Sequence, residues 1–127
     1  MQILLIALAG SIGALSRYGL CTLISENSNG KFAFGTLAVN VLGCFLIGFV
    51  MHIAQTTDII SADIKMAVTV GFLGALTTFS TFSFETYKYI EDSQWLLAGS
   101  NIALNVIIGL IATISGLACA KLLVGGS

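Results

Sequence analysis

The chain has 127 residues, 57% of them hydrophobic and 9% charged, with mean hydropathy +1.00 and no proline. A water-soluble fold carries roughly a quarter charged residues, so this composition excludes one, and a net charge of -1 offers no basic surface to nucleic acid. No Asp, Glu, Lys or Arg lies between Lys31 and Asp58, Lys65 and Glu85, or Asp92 and Lys121, gaps of 26, 19 and 28 residues. An apolar helix needs roughly 20 residues to cross a bilayer.

Residues 1–25 form a fourth apolar stretch, broken only by Arg17. The pattern predicts an all-α integral membrane protein, one four-helix domain over 1–127, with helices at 3–24, 33–54, 65–87 and 95–121. No basic segment precedes Ile3 and no polar domain follows, so the first stretch is expected as a retained helix and not a cleaved signal. The connection SENSNGK, residues 25–31, has the Ser, Asn and Gly of a turn. The second, QTTDIISAD, offers Ser61 or Asp63 as the cap of the helix that follows. The third, EDSQW, sets Trp95 beside two carboxylates, as suits a bilayer interface. Cys21, Cys44 and Cys119 sit in apolar segments and are expected as free thiols; His52 is expected to be packed or interfacial.

Orientation follows Lys and Arg in the loops. Lys65 and Lys121 fall at one membrane face, against Lys31, Lys88 and, loosely, Arg17 at the other. With so little bias the chain is expected to insert in both orientations, and opposed copies can then pair. The competing reading is one orientation set by the first helix. Small residues recur in rows (Ala9 and Gly13, Gly43 and Gly48, Gly71 and Gly74, then Ala112, Gly116 and Ala120). Such rows let helices approach in lipid and predict a homo-oligomer; contacts within one chain would serve them equally.

Polar groups within spans point to function. Arg17 lies in AGSIGALSRYG of the first helix and Asn40 in GTLAVNVLG of the second. The third carries GFLGALTTFSTFSFE, in which Thr77, Thr78, Ser80, Thr81, Ser83 and Glu85 interleave with Phe79, Phe82 and Phe84. That density of hydroxyls competes with helical hydrogen bonding and predicts a helix broken near Gly74–Thr78, its freed carbonyls facing the protein interior. Phe79 and Phe82 share a helix face at a spacing of three. Rings turned edge-on to a pore favour a small anion and rings turned face-on a cation, and Asn, Ser and Thr supply neutral donors. Ordinary packing of the rings, with hydroxyls bonded back to their own helix, stands as the alternative.

At these motifs the chain resembles the Fluc (CrcB-type) fluoride channel family over nearly its whole length, the third motif being the specific one. The resemblance implies an antiparallel, dual-topology homodimer in the bacterial cytoplasmic (inner) membrane. It implies two fluoride pores and a structural sodium ion, Na+, at the dimer interface. Phe79 and Phe82 would meet fluoride edge-on, Asn40 would line the pore, and Ser80, Thr81 and Ser83 would continue the polar path. The backbone carbonyls of Gly74 and Thr77 would hold sodium. Arg17 matches the family's first-helix arginine, at the vestibule or in a structural role, and Glu85 the acidic residue closing the third motif. The fourth span departs from the family's Tyr-x-x-x-Ser pattern, with Asn101 and Asn105 in its place.

The function expected is passive fluoride export that protects the cell. No GxxxxGK[ST] motif supplies an energy source, and no nucleophile–base pair suggests an enzyme. A small dual-topology multidrug/proton antiporter is the alternative. It needs a carboxylate within its first helix, where this chain has Arg17 and no Asp or Glu before Glu26. A non-transporting scaffold would leave the run from Thr77 to Glu85 without a purpose.

Overall fold

The computed structural model describes residues 1–124; the expected domain's last positions, 125–127, lie outside the described residues. Its helices are α1 (Gln2–Asn27), α2 (Phe34–Thr56), α3 (Ala62–Met66), α4 (Gly74–Leu76), α5 (Phe79–Glu91) and α6 (Trp95–Val124). A π-helical stretch, Ala67–Leu73, joins α3 to α4. Among the described residues four helical segments are long and apolar enough to cross a membrane: Gln2–Asn27, Phe34–Thr56, Ala62–Glu91 and Trp95–Val124. The shortest, 23 residues, reaches about 35 Å at a rise of about 1.5 Å per residue, enough for a hydrocarbon core of about 30 Å. The chain is a multi-pass, all-helical membrane protein.

The helix ends have local causes. α1 runs past the expected residue 24 to Asn27, whose Nδ2 donates to the Leu23 carbonyl at 2.8 Å. Of the two candidate caps, Ser61 starts α3, its side chain accepting the Ile64 N–H at 3.4 Å. After α5 the backbone turns through Ser93 at φ 56°, and the Gln94 N–H reaches back to the Tyr89 carbonyl at 2.7 Å. A left-handed residue in that position closes a helix by satisfying its last carbonyls.

α2 packs chiefly on α6, and α1 chiefly on the π-helical stretch, with α2 and α4 as its next neighbours. Val39, Leu73 and Leu76 form the buried cluster, flanked by Leu20, Cys21, Leu46, Ile47, Val68 and Phe72. Backbones come close where glycines meet carbonyls: Gly48 lies on Thr113, Gly116 on Phe45, Gly13 on Phe72 and Gly71 on Ile6. A Cβ at any of the four would collide with the facing carbonyl. These four glycines face their own chain, the second of the two uses the rows allowed. Large apolar side chains such as Ile3, Leu8, Leu15, Ile107 and Leu110 point outward, as they do where lipid is the solvent.

Candidate functional site

The third spanning segment changes geometry three times before α5 begins. The π-helical stretch widens it, α4 gives one short turn, and then Thr77 (φ -85°, ψ 157°) and Thr78 (φ -150°, ψ 117°) are extended. Hydroxyls explain the restart. The Thr78 side chain accepts the Thr81 N–H at 3.1 Å and so caps α5, while donating to Thr81 Oγ1 at 3.0 Å. Thr77 Oγ1 instead donates to the Leu73 carbonyl at 2.9 Å. Gly43 makes room, since a Cβ there would strike the Thr77 side chain.

Asn40 on α2 reads the extended pair. Its Oδ1 accepts the Thr78 N–H at 2.8 Å and its Nδ2 donates to the Thr78 carbonyl at 3.1 Å. A continued helix would give that N–H to the Gly74 carbonyl, so the pairing releases an acceptor on Gly74. Asn40 Nδ2 also donates to Asn105 Oδ1 at 3.0 Å. Asn105 Nδ2 donates to the carbonyl and the Oδ1 of Asn101, at 2.9 and 3.1 Å. Asn101, fully buried, donates to Thr86 Oγ1 at 2.9 Å, and Thr86 to the Phe82 carbonyl at 2.8 Å. A hydrogen-bonded seam thus runs from α5 through α6 and α2 to the interruption.

Two cavities meet at Thr78. One, of about 250 Å³, is bounded by Asn40, Thr78, Phe79, Phe82, Asn105 and Val106. The rings of Phe79 and Phe82 are 5.5 Å apart at 52° in it, and Phe79 is 79% exposed, so one chain leaves it uncovered. The other, about 280 Å³, gathers Arg17, Tyr18, Cys21, Thr36, Thr78 and Thr81. Arg17 Nη1 reaches the Thr77 carbonyl at 3.4 Å. Thr36 Oγ1 donates to Glu85 Oε1 at 2.7 Å, and Glu85 Oε2 is buried with no partner, as is His52 Nε2.

Of the residues singled out in the sequence, Asn40, Phe79 and Phe82 share one cavity, and Arg17 and Thr81 share the other. Glu85 is tied to Thr36. Ser80 is exposed at the start of α5, with its Oγ 3.3 Å from Thr78 Oγ1, and Ser83 is half-buried. Gly74 and Thr77 border a further cavity, about 220 Å³, with Gly43, Cys44, Ile47 and Leu73. Their carbonyls suit a hard cation, which takes oxygen ligands, although Thr77 already has a guanidinium near its oxygen. Sequence reasoning passed over Thr36 and Thr86. Thr36 stands four residues before Asn40 on one helix face, and that spacing was its only signal. A wider groove, about 730 Å³, is lined by apolar residues such as Leu23, Phe34, Leu37 and Val41, away from these polar groups. The three cysteines are free thiols, and no cluster of three His, Cys, Asp or Glu side chains forms among the described residues.

The four apolar spans, with a polar seam held among them beside an open phenylalanine pair, define a multi-pass membrane protein. A family model described as CrcB-like protein, Camphor Resistance (CrcB), matches residues 4–117, and the chain belongs to that family. It is 44% identical to the fluoride-specific ion channel FluC of Geobacter sp. (strain M21), over 96% of this chain and 98% of that one. Identity is 42% to the FluC of Geobacter sulfurreducens, over 94% and 96% of the two chains. The FluC of Dehalococcoides mccartyi (strain CBDB1) is 44% identical, over 91% and 88%. The family is one of transporters and not of enzymes.

Proposed function

We propose that this protein is a passive, fluoride-selective channel that exports fluoride across the bacterial cytoplasmic membrane and so protects the cell from it. The observation that carries the reading is the join at Thr78, where the Asn40 amide, the Phe79–Phe82 pair and the start of α5 border one cavity, in a chain 44% identical to a fluoride-specific ion channel.

The chemistry follows from what a small anion needs. Fluoride leaves water only if donors replace its hydration, and it passes on only if no site holds it tightly. The start of α5 supplies the positive end of a 13-residue helix. Ser80, Thr81 and Ser83 supply hydroxyl donors, Asn40 an amide donor, and the edges of Phe79 and Phe82 a weak positive field. Arg17 raises the local potential near Thr81, and Glu85, tied to Thr36, closes the polar path.

In this reading the functional unit is a dual-topology, antiparallel homodimer. Ser80, Thr81 and Phe79 are exposed on α5 of a single chain, and hydroxyls facing hydrocarbon are costly; an opposed copy would cover them. The interruption at Thr77 and Thr78 would then lie mid-membrane. The carbonyls of Gly74 and Thr77, from both copies, would hold a sodium ion, which supplies fixed positive charge at the interface. The antiporter alternative has no support, because α1 carries Arg17 and no carboxylate before Glu26.

A bacterial strain made fluoride-sensitive by loss of its own exporter tests the reading in the cell. Expression of this chain should restore growth in fluoride, and the Phe79→Ile, Phe82→Ile double variant should not. Equal sensitivity with and without the inserted, wild-type chain would refute fluoride export.

A further inference from the structure

Asn101 and Asn105 are two polar residues in the fourth span for which the proposed path has no use, yet Asn101 is fully buried and both are hydrogen-bonded through oxygen and nitrogen alike. Their orientation is fixed from the Thr78 backbone outward. The Thr78 N–H can only donate, so the atom of Asn40 that faces it at 2.8 Å is the oxygen. The Asn40 nitrogen then faces the Thr78 carbonyl and Asn105, and the atom of Asn105 that meets it is an oxygen. The Asn105 nitrogen is left facing Asn101, where it finds the backbone carbonyl and the side-chain oxygen. The Asn101 nitrogen finally reaches Thr86, whose proton goes to the Phe82 carbonyl. Each amide has one sense, and reversing any of them would set donor against donor.

This has a consequence for Asn40. Its amide has two N–H groups, and both are taken, one by the Thr78 carbonyl and one by Asn105 Oδ1. An anion at Asn40 must displace one of them. The Thr78 contact is two-pronged, pairing N–H and C=O of the same residue with one amide. The Asn105 contact is a single hydrogen bond, and Asn105 itself borders the cavity shared with Phe79 and Phe82. The second bond is the one to yield.

We infer that Asn105, held in place by Asn101, is a positioning residue whose Oδ1 occupies the Asn40 N–H until fluoride exchanges for it. The inference rests on the proposed fluoride conduction. An internal acceptor that competes with the ion lowers the net gain on binding by the worth of one hydrogen bond. It therefore keeps the site weak enough to release its ion, which is what conduction requires.

The test is fluoride flux against fluoride concentration in liposomes carrying the wild-type protein or Asn105→Leu, a substitution of similar volume with no acceptor. Removing the competitor should lower the half-saturating fluoride concentration roughly fivefold, the worth of one neutral hydrogen bond, and should also reduce maximal flux because release slows. A half-saturation unchanged within about twofold, at any maximal flux, would assign Asn105 to packing and overturn the inference while leaving conduction intact. Asn101→Ser, which removes the side-chain oxygen that holds Asn105 and leaves the backbone carbonyl in place, should shift half-saturation in the same direction by less; no shift would again overturn the inference.

A second measurement needs no variant to fold. In protein labelled with 15N at its five asparagines, added sodium fluoride should move the side-chain amide signals of Asn40 and Asn105 together, and sodium chloride should move neither. Movement of Asn40 alone, or of neither, would overturn the exchange. Wild-type liposomes that pass no fluoride would instead overturn the conduction itself, so the two failures are distinguishable.

Discussion

Asn40 holds both sides of Thr78 with one amide, and this contact is where the chain's polar residues become a site. The sequence marks Asn40 as a polar group within a span and Phe79 and Phe82 as a pair on one helix face, because their types and spacing are local facts. It does not show that Asn40 has already committed its donors, since the acceptor on Asn105 lies 65 residues away and belongs to another helix. The spacing of Asn101 and Asn105 puts them on one helix face but says nothing of what they face. For the rings the prediction concerns electrostatics and not shape. Phe79→Ile or Phe82→Ile keeps bulk and apolarity while removing the ring edge, whose interactions are worth about 0.5–1.5 kcal/mol. Each should cut fluoride efflux by up to roughly tenfold with insertion and thermal stability near wild type. Full efflux from both variants would remove the rings from the path.

At the scale of helices, the sequence carries the four spans because charge gaps of bilayer length have few other uses. The π-helical stretch before the interruption leaves no such trace; Ala67–Leu73 has the composition of any apolar helix. Nor does a row of glycines say whether it faces its own chain or another. Here Gly48 and Gly116 let α2 and α6 touch backbone to backbone. Gly116→Val should therefore destabilise the fold by about 1–3 kcal/mol, the usual cost of overpacking. Gly99 lies on the same helix, and a methyl group on its Cα would meet nothing within 4 Å. Gly99→Ala should stabilise by about 0.5–1 kcal/mol through helix propensity. Thermal unfolding in detergent reads both signs, and equal effects at the two positions would contradict the packing of α2 on α6.

For the whole molecule the deciding features are the even spread of charge and the polar surface of α5. Lys65 and Lys121 against Lys31, Lys88 and, loosely, Arg17 leave little bias between the two faces, which is the basis for proposing insertion in both orientations. The proposed pairing of opposed copies rests, in the sequence, on that balance, because an interface between two chains leaves no periodic mark of its own. The prediction is that a cysteine placed at Asn29, in protein whose Cys21, Cys44 and Cys119 are replaced, reacts with an impermeant thiol reagent in intact cells for about half the molecules and from the inside for the rest. Labelling of all molecules from one side would contradict dual insertion and with it the antiparallel dimer.

The most direct measurement is efflux from liposomes loaded with potassium fluoride, followed by a fluoride electrode after valinomycin dissipates the voltage, with potassium chloride liposomes in parallel. A selective passive channel predicts rapid fluoride release that needs no proton gradient or nucleotide, beside little release of chloride. Equal release of the two ions, or none of fluoride from correctly folded protein, would contradict it.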